Sequence, residues 1–149
     1  DVRVAAIYEG TNGIQAMDLV ARNLMDGGEA AFRLLDEIEQ GAAAAKAKHP
    51  DLAEAVWQSA ETLREATEWL VKQDNLNDRF SGAVPYLRAF ARVLGGHVHL
   101  TAAMTGDAAR LKVATFYIKR LLPEHISLLA HTREGADDLM AITADELAA

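Results

Sequence analysis

A carboxylate, two glycines and two hydrogen-bonding side chains stand together near the start of this chain. Glu9 ends the apolar stretch 2–8, and Gly10-Thr11-Asn12-Gly13 follows it directly. Burial beside Ile7 and Tyr8 would raise the pKa of the Glu9 carboxyl, as a general base working near neutral pH requires. The glycines let a ligand approach the backbone, and a helix predicted to begin near Gly13 would turn its first amides toward an anion.

The same residues also fit a turn without chemistry. In that interpretation Thr11-Asn12-Gly13 only caps the following helix, and Glu9 is a solvated surface residue. Short caps that contain glycine are common. The spacing by itself favours this plainer interpretation.

Histidines are the other side chains with possible chemistry. His97 and His99 are two residues apart, which places them on different faces of a helix and argues against a shared metal ion. His125 lies on an apolar helix stripe close to Pro123 and is predicted to be a core histidine with one hydrogen bond. The chain has no cysteine, so a thiolate site is excluded. We predict no metal site.

The composition is that of one helical globular domain. Of 149 residues half are hydrophobic, 25% are charged and the net charge is −7, which excludes a disordered chain. No cluster of Lys and Arg stands out, so nucleic-acid binding is not expected. No apolar run reaches about 18 residues, so no membrane span is expected, and the cytoplasm is the default location. The chain starts at Asp1 within an apolar segment, which suggests a piece of a longer protein.

The hydrophobic spacing predicts an all-α, mainly antiparallel bundle with four long helices and short helices at either end. The long helices are expected at about 29–48, 51–73, 83–104 and 108–132, and the short ones at about 2–8, 13–25 and 135–142. The residues predicted to face inward are Ile14, Met17 and Ala21 or Val20; Ala31, Leu34, Leu35, Ile38, Ala42 and Ala45; Leu52, Val56, Ser59, Leu63, Ala66 and Leu70; Leu87, Phe90, Leu94, Val98 and Thr101; and Leu111, Thr115, Ile118, Leu122, Leu128 and Leu129.

Several residues are expected to shape these helices. Asp51 and Asp107 should cap the helices that follow them, and Thr143 with Glu146 forms a capping box. Gly95-Gly96 should allow a neighbouring helix to come close. Pro123 should kink the fourth long helix.

The segment Arg3 to Gln15, with the letters RVAAIYEGTNGIQ, resembles the part of acyl-CoA dehydrogenases that contains their catalytic glutamate. Residues 16–22 resemble the helix that follows it in that family. The remainder resembles an extra helical domain that some members carry beyond the common dehydrogenase core. The resemblance therefore implies that residues 1–26 end the core and that residues 27–149 form the carboxy-terminal bundle.

The resemblance also implies roles for single residues. Glu9 would take the α-proton of an acyl-CoA thioester while a hydride leaves the β-carbon for FAD, and its backbone N–H would polarise the thioester carbonyl. Gly10 would contact the substrate. Thr11, Asn12 and Gly13 would lie against the FAD, with Gln15 as a further cofactor contact.

Other properties follow from the family. Members with the added domain include enzymes that oxidise 3-methylthiopropionyl-CoA, which makes that thioester a candidate substrate. Electron-transfer flavoprotein is the implied acceptor and a homo-oligomer the implied assembly. Most of the family's flavin pocket lies in an amino-terminal helical region and a β domain outside these residues, so the chain alone is expected to be inactive and without FAD. The alternative is a helical interaction or oligomerisation module with no catalytic role of its own.

Overall fold

A computed structural model describes residues 11–148, and within them the chain is helical with no strand. The all-α bundle is therefore confirmed, whereas the helix predicted at 2–8 lies outside the described residues. The helices are α1 (Thr11–Asp18), continued by a π-helical turn (Leu19–Asn23), α2 (Glu29–Ala45), α3 (Pro50–Lys72), α4 (Leu76–Ser81), α5 (Ala83–Ala103), α6 (Ala108–Phe116), continued by a second π-helical turn (Tyr117–Leu121), α7 (Glu124–Thr132), α8 (Asp137–Ala141) and α9 (Ala144–Leu147).

Helices α2 and α3 form an antiparallel pair whose buried faces agree with the sequence. The two helices pack against each other and are joined by a short connection, which makes neighbouring helices antiparallel. All six residues predicted to face inward on α3 are buried. On α2 the inner four are buried while Ala31 and Leu34 pack at the edge of the core. One-sided burial of each helix explains why the apolar spacing was sufficient here.

Helix α5 lies in the centre and contacts α1, α2, α3, α6 and α7. The inward face predicted for it was wrong, because Val98 and Thr101 are exposed. The other three predicted residues, Leu87, Phe90 and Leu94, are only half-buried. The residues that are buried on α5 are Ala83, Tyr86, Ala89, Val93, Gly96, Leu100 and Ala103. Small side chains occupy this face because several helices approach it closely, whereas large apolar residues fill the flanks.

The glycine pair of α5 has the predicted function. A Cβ atom built on Gly95 would overlap the Tyr117 hydroxyl, and one on Gly96 would lie 3.3 Å from Leu122. The absence of a side chain at these two positions therefore lets the turn after α6 pack closely against α5. The cost of glycine within a helix is about 0.5–1 kcal/mol at each position.

A buried hydrogen-bond chain joins α5 to α3. The Thr67 hydroxyl donates to the Leu63 carbonyl oxygen at 2.8 Å, and the Tyr86 hydroxyl lies 2.8 Å from the Thr67 oxygen. Since the one hydroxyl hydrogen of Thr67 is directed at Leu63, Tyr86 is the donor to Thr67. Burial raises the pKa of Tyr86 to about 12, and the bond to Thr67 opposes that rise.

The fourth long helix is interrupted near Pro123, whereas the sequence predicted only a kink there. Residues 117–121 form a π turn, and α7 starts only after Pro123. Proline has no N–H to donate to the preceding turn, which explains the break at that residue. Asp107 caps α6 as predicted, accepting from the Ala109 amide at 2.8 Å.

Two other helix starts have different outcomes. Asp51 does not cap α3, because that helix begins at Pro50 with His49 before it and without a side-chain cap. Proline is favoured at the first helical position since its missing N–H would have no helical partner there. The capping box of Thr143 and Glu146 is confirmed, with both reciprocal bonds present.

Candidate functional site

Helix α1 carries the described part of the predicted site and is fixed to the bundle by one narrow face. Ala16, Val20 and Leu24 are buried in the common core, and α1 packs on α5. The prediction that Ile14 and Met17 face inward was wrong, since they are 65% and 43% exposed. Val20, one of the two alternatives predicted to face inward, is buried, whereas the small side chain of Ala16 gives a sequence pattern little to detect.

The four predicted cofactor residues lie on the first turns of α1. Asn12 and Gln15 are exposed, and Thr11 and Gly13 are half-buried. A Cβ atom placed on Gly13 would have no atom of residues 11–148 within 4 Å. Glu9 and Gly10, the predicted base and substrate contact, lie outside the described residues.

The chemistry of this helix start fits an anionic group. The first turn of α1 has no acidic side chain, and the amino-terminal end of a helix carries a partial positive charge with amides directed along the axis. The open space at Gly13 lets a ligand approach the backbone there. The residues present are therefore compatible with a cofactor phosphate or another anion, and they offer no metal ligand.

Asp26 organises the connection after the site helix, and the sequence reasoning missed it. Its carboxylate accepts from the amides of Gly28 at 2.9 Å and Glu29 at 3.2 Å. Gly28 has φ of 79°, in the left-handed region that favours glycine. An Asp followed by Gly-Gly before a helix is a signal that sequence reasoning could have used. These two hydrogen bonds fix the backbone at the start of α2, directly after the connection from α1.

A second group that was missed ties α2 to α3. The Arg64 guanidinium bonds Asp36 and Glu39 at 2.7 Å each. Its central carbon lies 5.9 Å from the centre of the Phe32 ring. All three partners are on α2, so the arrangement is a structural clamp between two helices.

Glu124 forms a corresponding clamp between α7 and α5. Arg88 and Arg92 each place a nitrogen 2.6 Å from a Glu124 oxygen. The hydrogen bond from Arg92 is the main reason that the pKa of the Glu124 carboxyl is lowered. The four-residue spacing places the two arginines on one face of α5, and their partner lies 32 residues beyond Arg92 in the chain.

The histidines have separate environments, as predicted. The His97 ring lies against Gly41 of α2, with a buried Nδ1 that has no hydrogen-bond partner in residues 11–148. The His99 ring lies 4.5 Å from that of Tyr117. His125 is buried with Nδ1 2.7 Å from the Leu122 carbonyl oxygen, which confirms a core histidine with one hydrogen bond.

His97 is the histidine with a perturbed pKa. Burial lowers it, and the charge of Glu37 opposes that effect. Among the described residues no three His, Asp or Glu side chains are grouped so that they could hold a metal ion. No helix in that part of the chain is both long and apolar enough to cross a membrane.

Comparison with known proteins identifies the class of this bundle. Residues 34–143 match the family model described as "Acetyl-CoA dehydrogenase C-terminal like". The chain belongs to the acyl-CoA dehydrogenase family and corresponds to its carboxy-terminal region, which confirms the resemblance found in the sequence.

One relative is the 3-methylmercaptopropionyl-CoA dehydrogenase of Ruegeria pomeroyi. It is 31% identical over 160 aligned positions, which cover 94% of this chain and 27% of the relative. The chain thus spans about a quarter of the length of the curated relative it matches. No solved structure matched the chain. The family match begins inside α2, so residues 11–15 lie before it.

Proposed function

We propose that this chain is the carboxy-terminal part of an FAD-dependent acyl-CoA dehydrogenase, in which Glu9 removes the α-proton of the acyl thioester. The observation that carries the proposal is the continuity of the chain. The Tyr8-to-Gln15 motif leads directly into α1, and α1 is anchored on a bundle that belongs to this family. The name of the Ruegeria pomeroyi relative makes 3-methylmercaptopropionyl-CoA, the same thioester as 3-methylthiopropionyl-CoA, the candidate substrate.

Each residue of the motif has a distinct task in this proposal. Glu9 accepts the α-proton through its carboxylate, and its backbone N–H donates to the thioester carbonyl, which makes that proton more acidic. Gly10 contacts the substrate without a side chain in the way. Bound FAD would supply the acceptor for the hydride that leaves the β-carbon.

The start of α1 is the proposed contact with the cofactor. Thr11, Asn12, Gly13 and Gln15 would hold it, because the first turn lacks acidic side chains and Gly13 leaves open space beside the backbone. The polarity of the helix favours an anion at this end. Residues 1–26 would thus complete the dehydrogenase core, and the chain by itself would neither hold FAD nor turn over substrate.

Residues 27–149 have a supporting role in this proposal. The bundle buries Ala16, Val20 and Leu24 and so fixes the direction of α1. We also propose that the full protein is cytoplasmic, assembles as a homo-oligomer and passes its electrons to electron-transfer flavoprotein. The alternative role, an interaction module, is compatible with the catalytic one, since the bundle exposes large apolar side chains such as Phe116 and Leu139.

The test is a comparison of two substitutions in the full-length protein. The wild type should be yellow, and acyl-CoA should bleach its flavin absorbance. Glu9→Gln should keep the flavin and slow its reduction about 10²–10⁴-fold, because an amide cannot take the proton. The matched control is Glu134→Gln, at an exposed glutamate without an ion pair in residues 11–148.

Stopped-flow measurement of flavin bleaching decides between the outcomes. A full-length protein that folds without flavin would refute the proposed cofactor. Bleaching of Glu9→Gln at the rate of Glu134→Gln would show that another group is the base.

A further inference from the structure

The outer face of α6 and its continuation carries positive charge in an otherwise acidic chain. Between Asp107 and Glu124 the sequence has four basic residues and no acidic one. They were not recognised as a cluster because they are spread over eleven positions, from Arg110 to Arg120. All four are exposed. Arg110 pairs with Asp107 at 3.7 Å, whereas Lys112, Lys119 and Arg120 make no ion pair within residues 11–148.

This basic face also exposes apolar surface. Val113 and Phe116 are 52% and 59% exposed, and Phe116 lies on the side of the helix opposite the buried Ala114. Beside Val113 an open groove of about 300 Å³ runs between α6 and α5. Its lining residues are His99, Ala102, Ala109, Arg110 and Val113. The basic face of α6 therefore combines cations with a mainly apolar groove that could receive apolar side chains.

The segment after α7, here called the acidic tail (residues 134–148), has the opposite character. Glu134, Asp137, Asp138 and Asp145 are exposed and make no ion pair in the described part of the chain. Its large apolar side chains are also exposed rather than packed on the bundle. They are Leu139, Met140, Ile142 and Leu147.

Within residues 11–148 the acidic tail is attached to the bundle at its base. The Ala136 amide donates to Asp78 at 3.0 Å, and Ala136 is the buried residue of the segment. Four exposed large apolar residues within nine positions are unusual for a face that stays in water. The acidic tail thus has both the charge and the apolar side chains to complement the basic face of α6.

The acidic tail and the groove beside Val113 lie toward opposite ends of the same bundle. The tail leaves from Thr132, whose carbonyl packs against Gly82 at the start of α5. Helix α6 begins just beyond the end of α5, 21 residues along that helix, which is about 30 Å. One chain therefore presents its tail far from the first turns of its own α6. Two chains in antiparallel contact across a twofold axis would bring each tail beside the other's α6, because such an interface is reciprocal.

We infer that the basic face of α6 binds the acidic tail of a second copy of this chain, in a reciprocal interface. Leu139 and Met140 enter the groove beside Val113, and the tail carboxylates face Lys112, Lys119 and Arg120. Opposite charges set the register, and the apolar side chains lose their contact with water. This interface does not depend on Glu9 or on any bound cofactor.

Cross-linking of full-length protein, in a background without other cysteines, tests the contact directly. Affinity-tagged Val113→Cys is mixed with untagged Leu139→Cys and treated with a short flexible bis-maleimide. The expected product joins a tagged and an untagged chain, and peptide mass spectrometry should place the link at these two positions. One chain that carries both cysteines, at high dilution, serves to detect a link within a single molecule.

Charge reversal then shows whether complementarity holds the contact. Lys112→Glu with Arg120→Glu should lower the cross-link yield about tenfold or more, because like charges then meet across the interface. Mixing this variant with a partner that carries Asp137→Lys and Asp138→Lys should restore the yield. The control reversal, Arg33→Glu with Lys72→Glu on the exposed surfaces of α2 and α3, should leave it unchanged.

Three results would overturn the inference. A link that forms only within one chain would mean that the tail folds back on its own α6. The absence of a link with both thiols reactive would mean that nothing covers the two surfaces. The absence of a link with both thiols protected would mean that another part of the protein covers them.

Discussion

Ionisation of Tyr86 should make the bundle less stable at alkaline pH. The hydroxyl is buried and donates to Thr67, and burial raises its pKa from 10.0 to about 12. A tyrosine whose folded pKa lies above the unfolded value holds its proton more tightly when folded. Between these two pH values the unfolded state binds fewer protons, so the free energy of unfolding falls as pH rises.

The size of this effect follows from the separation of the two pKa values. The loss is about 1.4 kcal/mol by about pH 11 and approaches about 2.7 kcal/mol above pH 12. Tyr86→Phe removes the ionising group, so its free energy of unfolding should not show this alkaline loss. At neutral pH the same substitution should cost only about 0.5–1.5 kcal/mol, because Thr67 keeps its bond to Leu63.

Urea unfolding of the wild type and of Tyr86→Phe from about pH 8 to about pH 12 measures the difference. The wild type should be the more stable protein at the lower pH, and the two should cross between about pH 10 and about pH 11. Thr67→Val is the matched control for the direction of the bond. It leaves the buried Tyr86 donor without an acceptor, so it should cost more at neutral pH, about 1–3 kcal/mol. A difference between wild type and Tyr86→Phe that stays constant with pH would refute the raised pKa.

Three further experiments test the packing and the ion pairs. Leu63→Ala should lower the free energy of urea unfolding by about 2–5 kcal/mol, because Leu63 is fully buried. The control Leu147→Ala, at an exposed residue, should change it by no more than about 0.5 kcal/mol. An equally small change for Leu63→Ala would contradict the core assignment. Gly82→Ala should lower the free energy of unfolding by about 1–3 kcal/mol, since its Cβ would lie 2.5 Å from the Thr132 carbonyl oxygen. Gly13→Ala, in open space among the described residues, should raise the free energy of unfolding by up to about 1 kcal/mol. Shifts of the two melting temperatures in the same direction would be inconsistent with this packing. The pKa of Glu124 is lowered by its bonds to Arg92 and Arg88. The stability that Glu124 contributes is therefore fully present above the ordinary carboxyl pKa, and it is lost as the pH falls through the lowered pKa. The melting temperature of Glu124→Gln should therefore depend less on acid pH than that of the wild type, and parallel curves would argue against the clamp.

The sequence was sufficient wherever a helix buries one side only. On α3 a single partner face gives the 3–4 spacing from Leu52 to Leu70, and that spacing can be read without tertiary information. Helix α5 is contacted from several sides, so its apolar residues surround the axis. Its buried residues include Ala89 and Gly96, which a search for large apolar side chains passes over.

The site was predictable to a different degree. The residue types at Glu9 to Gln15 suggested chemistry, but spacing alone favoured a plain turn, and the family resemblance supplied the roles. The face that anchors α1 was predicted only at Val20, because the small side chain of Ala16 gives a weak hydrophobic signal. The clamps at Arg64 and Glu124 were missed because their partners meet only in the folded chain.

Helix α5 links the two surfaces that we propose to be functional. Along its length it supports α1, through the buried Ala16 and Val20, and the turn after α6, through Gly95 against Tyr117. The small residues that make α5 hard to recognise in the sequence are those that let two helices dock on one. Because the basic residues of α6 are exposed while its buried face is held by α5, assembly can change at the outer surface without moving the contact that fixes α1. The bundle can thus hold the site helix firmly and still offer an independent surface to a second copy.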